Sequence, residues 1–188
     1  LSSSSASSDV YKRQPPRPAG QSDVLKLRCE PISTVRVGFI GIGSRGLAAV
    51  HRFLSIPGVE IKALCDLESE NLDKARALLV HAKFPAAQEY SSKNGYKEIC
   101  ERQDIDLIYI CTDWLNHTPI AVYAMEHGKH TAIEVPAAVT LEQCWELVNT
   151  AEKTRRHCMM LENCCYDRFE MATLNMAQKG LFLSLIHI

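Results

Sequence analysis

Six residues, Gly41-Ile42-Gly43-Ser44-Arg45-Gly46, follow directly on the β-branched apolar run Val35–Ile40. They open a segment in which Leu47, Val50 and Leu54 recur at helical spacing. A buried strand, a glycine-rich turn and a helix are the only elements this order suits. In the pattern G-x-G-x-x-G, Gly41 permits the tight turn. Gly43 removes the side chain that would obstruct a pyrophosphate, and Gly46 lets the helix pack against the strand. The pyrophosphate would sit on the helix N-terminus, where N–H groups lack intrahelical acceptors. The glycines alone are a weak signal. Asp66, ending the next apolar run about twenty residues on, places a carboxylate where an adenosine ribose would lie. It would repel a 2′-phosphate, and its neighbours Leu67 and Glu68 carry no positive charge, so NAD is expected over NADP.

The rest of the chain continues the alternation. Strands are expected at Val59–Cys65, Gln88–Ser91, Asp106–Cys111, His130–Glu134 and Cys158–Leu161. Helices are expected at Ser44–Ser55, Ser69–Ala82 and Tyr96–Arg102. Another follows, capped by Thr118 with Pro119 in its first turn and ending at Gly128. The capping box Thr140-Leu141-Glu142-Gln143 opens a helix to about His157. Arg168–Lys179 forms a last helix, stopped by Gly180. Six strands separated by helices predict a doubly wound parallel α/β sheet, the Rossmann arrangement, from Val35 to Leu161. The domain expected is 34–162, with 163–182 leading toward a second α+β domain.

Net charge is −1, from 21 Lys and Arg against 22 Asp and Glu. This argues against a nucleic-acid partner, and no apolar run is long enough to span a bilayer. None of the eight cysteines forms a C-x-x-C pair, no His cluster has zinc-ligand spacing, and no metal is expected. Most of the cysteines read as reduced core residues. The Ser-rich start Leu1–Gln14 lacks an apolar signal-peptide core. Both it and the end Leu183–Ile188 resemble translated sequencing-adaptor sequence. On that reading the natural N-terminus and the C-terminal half are missing, and residues 1–33 form a disordered leader. A soluble protein, cytoplasmic or periplasmic, is expected.

From Thr34 to Phe182 the chain resembles the N-terminal half of the sugar-oxidoreductase superfamily named after glucose–fructose oxidoreductase, inositol dehydrogenase and a rhizopine-catabolism protein. In its dehydrogenases the fifth strand commonly ends Glu-Lys-Pro, with the lysine by the reacting carbon. Here it ends Glu134-Val135-Pro136. The segments RVGFIGIGSRG, ALCDL, YICTDWLNH, AMEHGKH, EVPAA, EKTRRHCMMLENCCYD and TLNMAQKG are similar to glycoside hydrolase family 109, the NAD-dependent α-N-acetylgalactosaminidase-like branch.

That resemblance implies that Ser44 and Arg45 contact the NAD phosphates or adenosine, and that Asp66 holds the ribose. It implies that Trp114, Leu115, Asn116 and His117 line the cofactor toward its nicotinamide, with Glu134, Val135 and Asn163 in the same region. Tyr166 and His117 are the acid–base candidates in this part of the chain; the main catalytic groups are expected in the missing half. The implied activity is hydrolysis of an N-acetylgalactosamine-type glycan through oxidation at C3, elimination, hydration and re-reduction. An NAD(P)-dependent sugar or polyol dehydrogenase and a non-catalytic NAD-binding protein stand as alternatives. The fragment itself is expected to be inactive, with any homo-oligomer formed through the missing domain.

Overall fold

The computed structural model describes residues 17–181; the two terminal runs that resemble adaptor sequence lie outside the described residues. The chain divides into two units, Ser22–Leu161 and a second one formed by Leu1–Gln21 with Glu162–Ile188. In the first unit, strands and helices alternate. They are β1 (Val35–Ile40), α1 (Ser44–Phe53), β2 (Val59–Cys65), α2 (Ser69–His81), β3 (Gln88–Tyr90) and α3 (Gly95–Glu101). β4 (Leu107–Ile110), α4 (Trp114–Glu126), β5 (His130–Ile133), α5 (Leu141–Thr154) and β6 (Cys158–Met160) follow. The strands form one sheet in the order β3-β2-β1-β4-β5-β6, every pair parallel. This is the doubly wound fold the alternation predicts.

Helices on both faces require strands that are apolar on both sides. In β1, Val37 and Phe39 face one core layer while Ile40 faces the other. In β4, Ile108 and Ile110 share the layer of Ile40, and Tyr109 points to that of Phe39. The register of β1 against β2 slips between Val37 and Gly38, so that Val37 pairs with Ile61 and Gly38 with Ala63. That bulge puts Ile61 and Leu64, an odd number of residues apart, into the same layer. At the opposite end of the strands from the glycine turn, Asp106 accepts from the Arg36 backbone N–H (2.9 Å) and guanidinium (2.6 and 2.9 Å), tying β4 to β1.

Four expectations change. Helix α4 begins at Trp114, one turn before the expected cap. Asp113 caps it by accepting from the Leu115 N–H (3.1 Å), and Pro119 lies inside the helix. A carboxylate at the first available cap position wins over Thr118, whose hydroxyl instead donates to the Ala137 carbonyl (2.9 Å). Helix α5 keeps the Thr140 cap, with the Gln143 N–H donating to Oγ1 at 3.2 Å. It ends at Thr154 because Arg155 adopts a left-handed φ of 56°; His157 is then drawn to β5, accepting from the Thr131 N–H at 2.8 Å. Part of the expected leader belongs to the domain: Val24 packs on the core, and Arg155 donates to the carbonyls of Ser22 and Asp23. The cysteines are free, yet only Cys65 and Cys100 are buried, and Cys29, Cys144, Cys164 and Cys165 are exposed.

The second unit contains a 3-10 turn at Asn163–Tyr166 and helix α6 (Arg168–Gln178), neither with a buried residue.

Candidate cofactor cleft

The strand order reverses between β1 and β4, and the crevice at their C-terminal ends is where ligands of open α/β sheets bind. A cleft of about 530 Å³ opens there. Gly41 and Gly43 of the glycine turn, Asp66 after β2, Lys93 after β3, and Thr112 and Asn116 after β4 contribute to its walls.

The three glycines are glycine for different reasons. Gly41 has φ +86°, and a Cβ there would stand 2.4 Å from the Cys111 carbonyl oxygen. A Cβ on Gly46 would stand 2.1 Å from the Gly41 carbonyl oxygen. Both are therefore required by the protein's own packing. A Cβ on Gly43 meets no atom within 4 Å, so the folded chain places no demand for glycine there. The turn leaves a bare backbone approach at the start of α1, where no side chain caps Gly43. A helix N-terminus kept open beside a cleft fits a pyrophosphate.

Asp66 is tied into this turn more closely than the sequence suggests. Its Oδ2 accepts from the Ile42 N–H at 2.6 Å, and its Oδ1 accepts from the Glu68 N–H (2.9 Å) and the Asn71 side-chain amide (3.2 Å). An ionised carboxylate has about four acceptor positions. Three are engaged, so Asp66 both fixes the turn and retains little capacity for ribose hydroxyls.

On the other side of the switch point, Trp114 and Leu115 are exposed at the first turn of α4, and Asn116 donates to Asp113 at 2.6 Å while lining the cleft. His117 is 1% exposed. Its Nδ1 lies 2.7 Å from the Pro136 carbonyl and its Nε2 3.1 Å from the Thr112 carbonyl. The ring is a strut joining the exit of β4 to the turn after β5, and it does not face the cleft as an acid–base group would. Val135, which follows β5, is 42% exposed.

Arg45 and Glu134, assigned separately from the sequence, meet. Arg45 Nε donates to Glu134 Oε2 at 3.1 Å, and the Tyr109 hydroxyl donates to Oε1 at 2.6 Å. Glu134 is 6% exposed, so this pairing supplies the partners a buried carboxylate needs. Burial and the neighbouring carboxylate push the Tyr109 hydroxyl's pKa up, which keeps it protonated as the donor. Tyr109 was missed in the sequence. The available signal was a phenol inside an otherwise apolar strand, whose hydroxyl must find a partner.

Cys65 and Cys111 also line the cleft. Burial pushes their thiols up to about 12 and about 11 respectively, so neither is a thiolate nucleophile near neutrality. Among the described residues no cluster of three His, Cys, Asp or Glu is placed to hold a metal, and no helix is long and apolar enough to cross a membrane. Asn163 and Tyr166 belong to the second unit, where both are exposed on the 3-10 turn.

The chain is 59% identical over 168 residues to a Bacteroides fragilis protein named alpha-N-acetylgalactosaminidase, a match covering 89% of this chain and 40% of that protein. It is 58% identical over 175 residues to glycosyl hydrolase family 109 protein 1 of Phocaeicola vulgatus, covering 93% of this chain and 37% of the relative. The chain thus spans about two fifths of the length of these curated relatives. Scyllo-inositol dehydrogenase from Lactobacillus casei, solved with NAD(H) and scyllo-inositol, superposes with a TM-score of 0.68 at 17% identity. That match covers 78% of this chain and 42% of the other, and shows the shared fold. Residues 35–162 match the family described as GFO_IDH_MocA. The chain therefore belongs to the oxidoreductase family with an NAD-binding Rossmann fold.

Proposed function

We propose that this chain is the NAD-binding part of a glycosidase that acts on an α-linked N-acetylgalactosaminide or a related sugar. The observation that carries the proposal is the 59% identity to a protein named alpha-N-acetylgalactosaminidase. Val135 supports it, because it stands where dehydrogenases of the resembling superfamily carry a lysine.

The residues fit NAD on the chain's own geometry: Gly43 leaves the approach to the α1 N-terminus open, and no protein atom fills the place of its side chain. Gly43, Ser44 and Gly46 would hold the pyrophosphate through backbone N–H groups, on a turn that Gly41 makes while its own N–H donates to the Cys65 carbonyl (2.8 Å). Asp66 would position the turn and take one ribose hydroxyl. Asn116 would line the cleft toward the nicotinamide, with Trp114 and Leu115 closing that end against water. When bound, the cofactor supplies oxidation at C3 of the sugar and the later return of the same hydride.

Within that chemistry, a C3 ketone acidifies the C2 proton. Its loss expels the group at C1, water adds back, and C2 is reprotonated. No carboxylate pair of the usual glycosidase kind is needed. His117 holds Pro136 and the β4 exit in register, which makes it a positioning residue. Arg45 and Tyr109 fix Glu134 at the end of β5.

The test uses the protein extended to the length of its relatives, an aryl α-N-acetylgalactosaminide and heavy water. Product carrying deuterium at C2, with no net consumption of NAD, is expected. Product without deuterium at C2 rules out the elimination route, and stoichiometric NADH in solution identifies a dehydrogenase instead.

A further inference from the structure

The strand β3 pairs with β2 so that Tyr90 stands opposite Cys65, and the Asp66 N–H donates to the Tyr90 carbonyl at 3.1 Å. The loop after β3 is thereby laid beside Asp66, and Lys93 of that loop lines the same cleft as Asp66 and Glu68. Among the described lining residues Lys93 is the sole cation, against the carboxylates of Asp66, Glu68 and Asp113. Two of those acids have fixed partners. Asp66 accepts three hydrogen bonds, and Asp113 accepts from the Leu115 N–H and the Asn116 amide. None of these donors is Lys93.

We infer that Lys93 is a specificity-determining residue for the dinucleotide, one that offsets the acidic end of β2 and leaves the cleft able to accept a 2′-phosphate on the adenosine ribose. The inference rests on the cofactor reading above. The carboxylate after β2 marks where that ribose lies, and discrimination between its hydroxyl and phosphate forms is set by the charges around it. A carboxylate held by three donors repels an added phosphate less than a bare one, because the donors' positive ends offset part of its charge. A flexible ammonium on the neighbouring loop attracts the phosphate as a point charge and leaves the neutral ribose nearly unaffected. NAD remains the better ligand, by a margin that Lys93 narrows. Glu68, on the same wall as Asp66, opposes Lys93.

The experiment measures dissociation constants of NAD and NADP by calorimetry on the 188-residue chain at two ionic strengths. Lys93→Glu should weaken NADP by about tenfold, the factor that about 1.4 kcal/mol represents, while changing NAD by less than about twofold. Lys93→Ala should give an intermediate shift and remove the steeper salt dependence that NADP shows in the parent. Glu68→Gln should move the ratio the other way and guards against a fold-level effect of either lysine change. An unchanged NAD-to-NADP ratio in Lys93→Glu, with NAD still bound, overturns the role of Lys93. Failure of the parent to bind either dinucleotide overturns the cofactor reading and the inference with it.

Discussion

Gly43 and Gly46 stand three residues apart in one turn, and their substitution should fail in different ways. Gly46→Ala drives a methyl group into the Gly41 carbonyl, 2.1 Å from the new carbon. Backbone on both sides has to shift, and the melting temperature should fall steeply. Gly43→Val meets no protein atom at its Cβ. Melting should change little, while calorimetric NAD binding should disappear because the branched side chain fills the approach to α1. A Gly43→Val protein that binds NAD normally would show that the pyrophosphate does not lie there. At the same scale, the cleft thiols are protected by burial. With Cys65 near 12 and Cys111 near 11, iodoacetamide at pH 8 should modify exposed Cys144 well before either, as mass spectrometry would read. The glycines were legible in the sequence because their spacing directly after an apolar run is a local pattern. The double duty of Asp66 and the meeting of Arg45, Tyr109 and Glu134 were not, since those partners lie 24 and more residues apart.

Among the elements, the pairing of β1 with β4 carries a pH signature. The guanidinium and backbone N–H of Arg36 hold the Asp106 carboxyl below its ordinary range. A folded-state pKa below the unfolded one gives stability that is present above about pH 4 and is lost as pH falls through the folded value. Asp106→Asn should cost about 1 kcal/mol at pH 7, a figure discounted for a pair that is partly exposed. The gap between parent and variant in urea unfolding should close below about pH 4. A gap that persists to pH 2 would mean that the contact stabilises by shape and not by charge. Element boundaries were legible where a side chain answers for them, as with the Thr140 cap of α5. They were misread where two residues competed for one role. Asp113 and Thr118 both qualify as caps, and Thr118 is taken by the Ala137 carbonyl, a contact that only the folded β5–α5 turn supplies.

For the whole molecule, the second unit raises a question of solubility. Helix α6 has no buried residue, and Phe169 is 82% exposed, with Met171 and Leu174 also open. Apolar side chains exposed in this number promote association. Light scattering on the 188-residue chain should show concentration-dependent self-association, reduced by the double substitution Phe169→Glu and Leu174→Lys. A monodisperse parent at high concentration would contradict this. The sequence by itself determined the alternation of strands and helices, the glycine turn and the acid after β2, because each is written in local periodicity and fixed spacing. Tertiary structure decided which groups share a wall of the cleft. Lys93 lines the cleft of Asp66 because β3 pairs with β2, and Arg45 reaches Glu134 only because β4, between β1 and β5, brings their ends together. His117 is withdrawn from the cleft for a related reason: the fold places its ring between the Pro136 and Thr112 carbonyls, within hydrogen-bond distance of both. Charge and hydrogen-bond partners are properties of neighbours in space, and a pattern along the chain specifies only the neighbours it can reach.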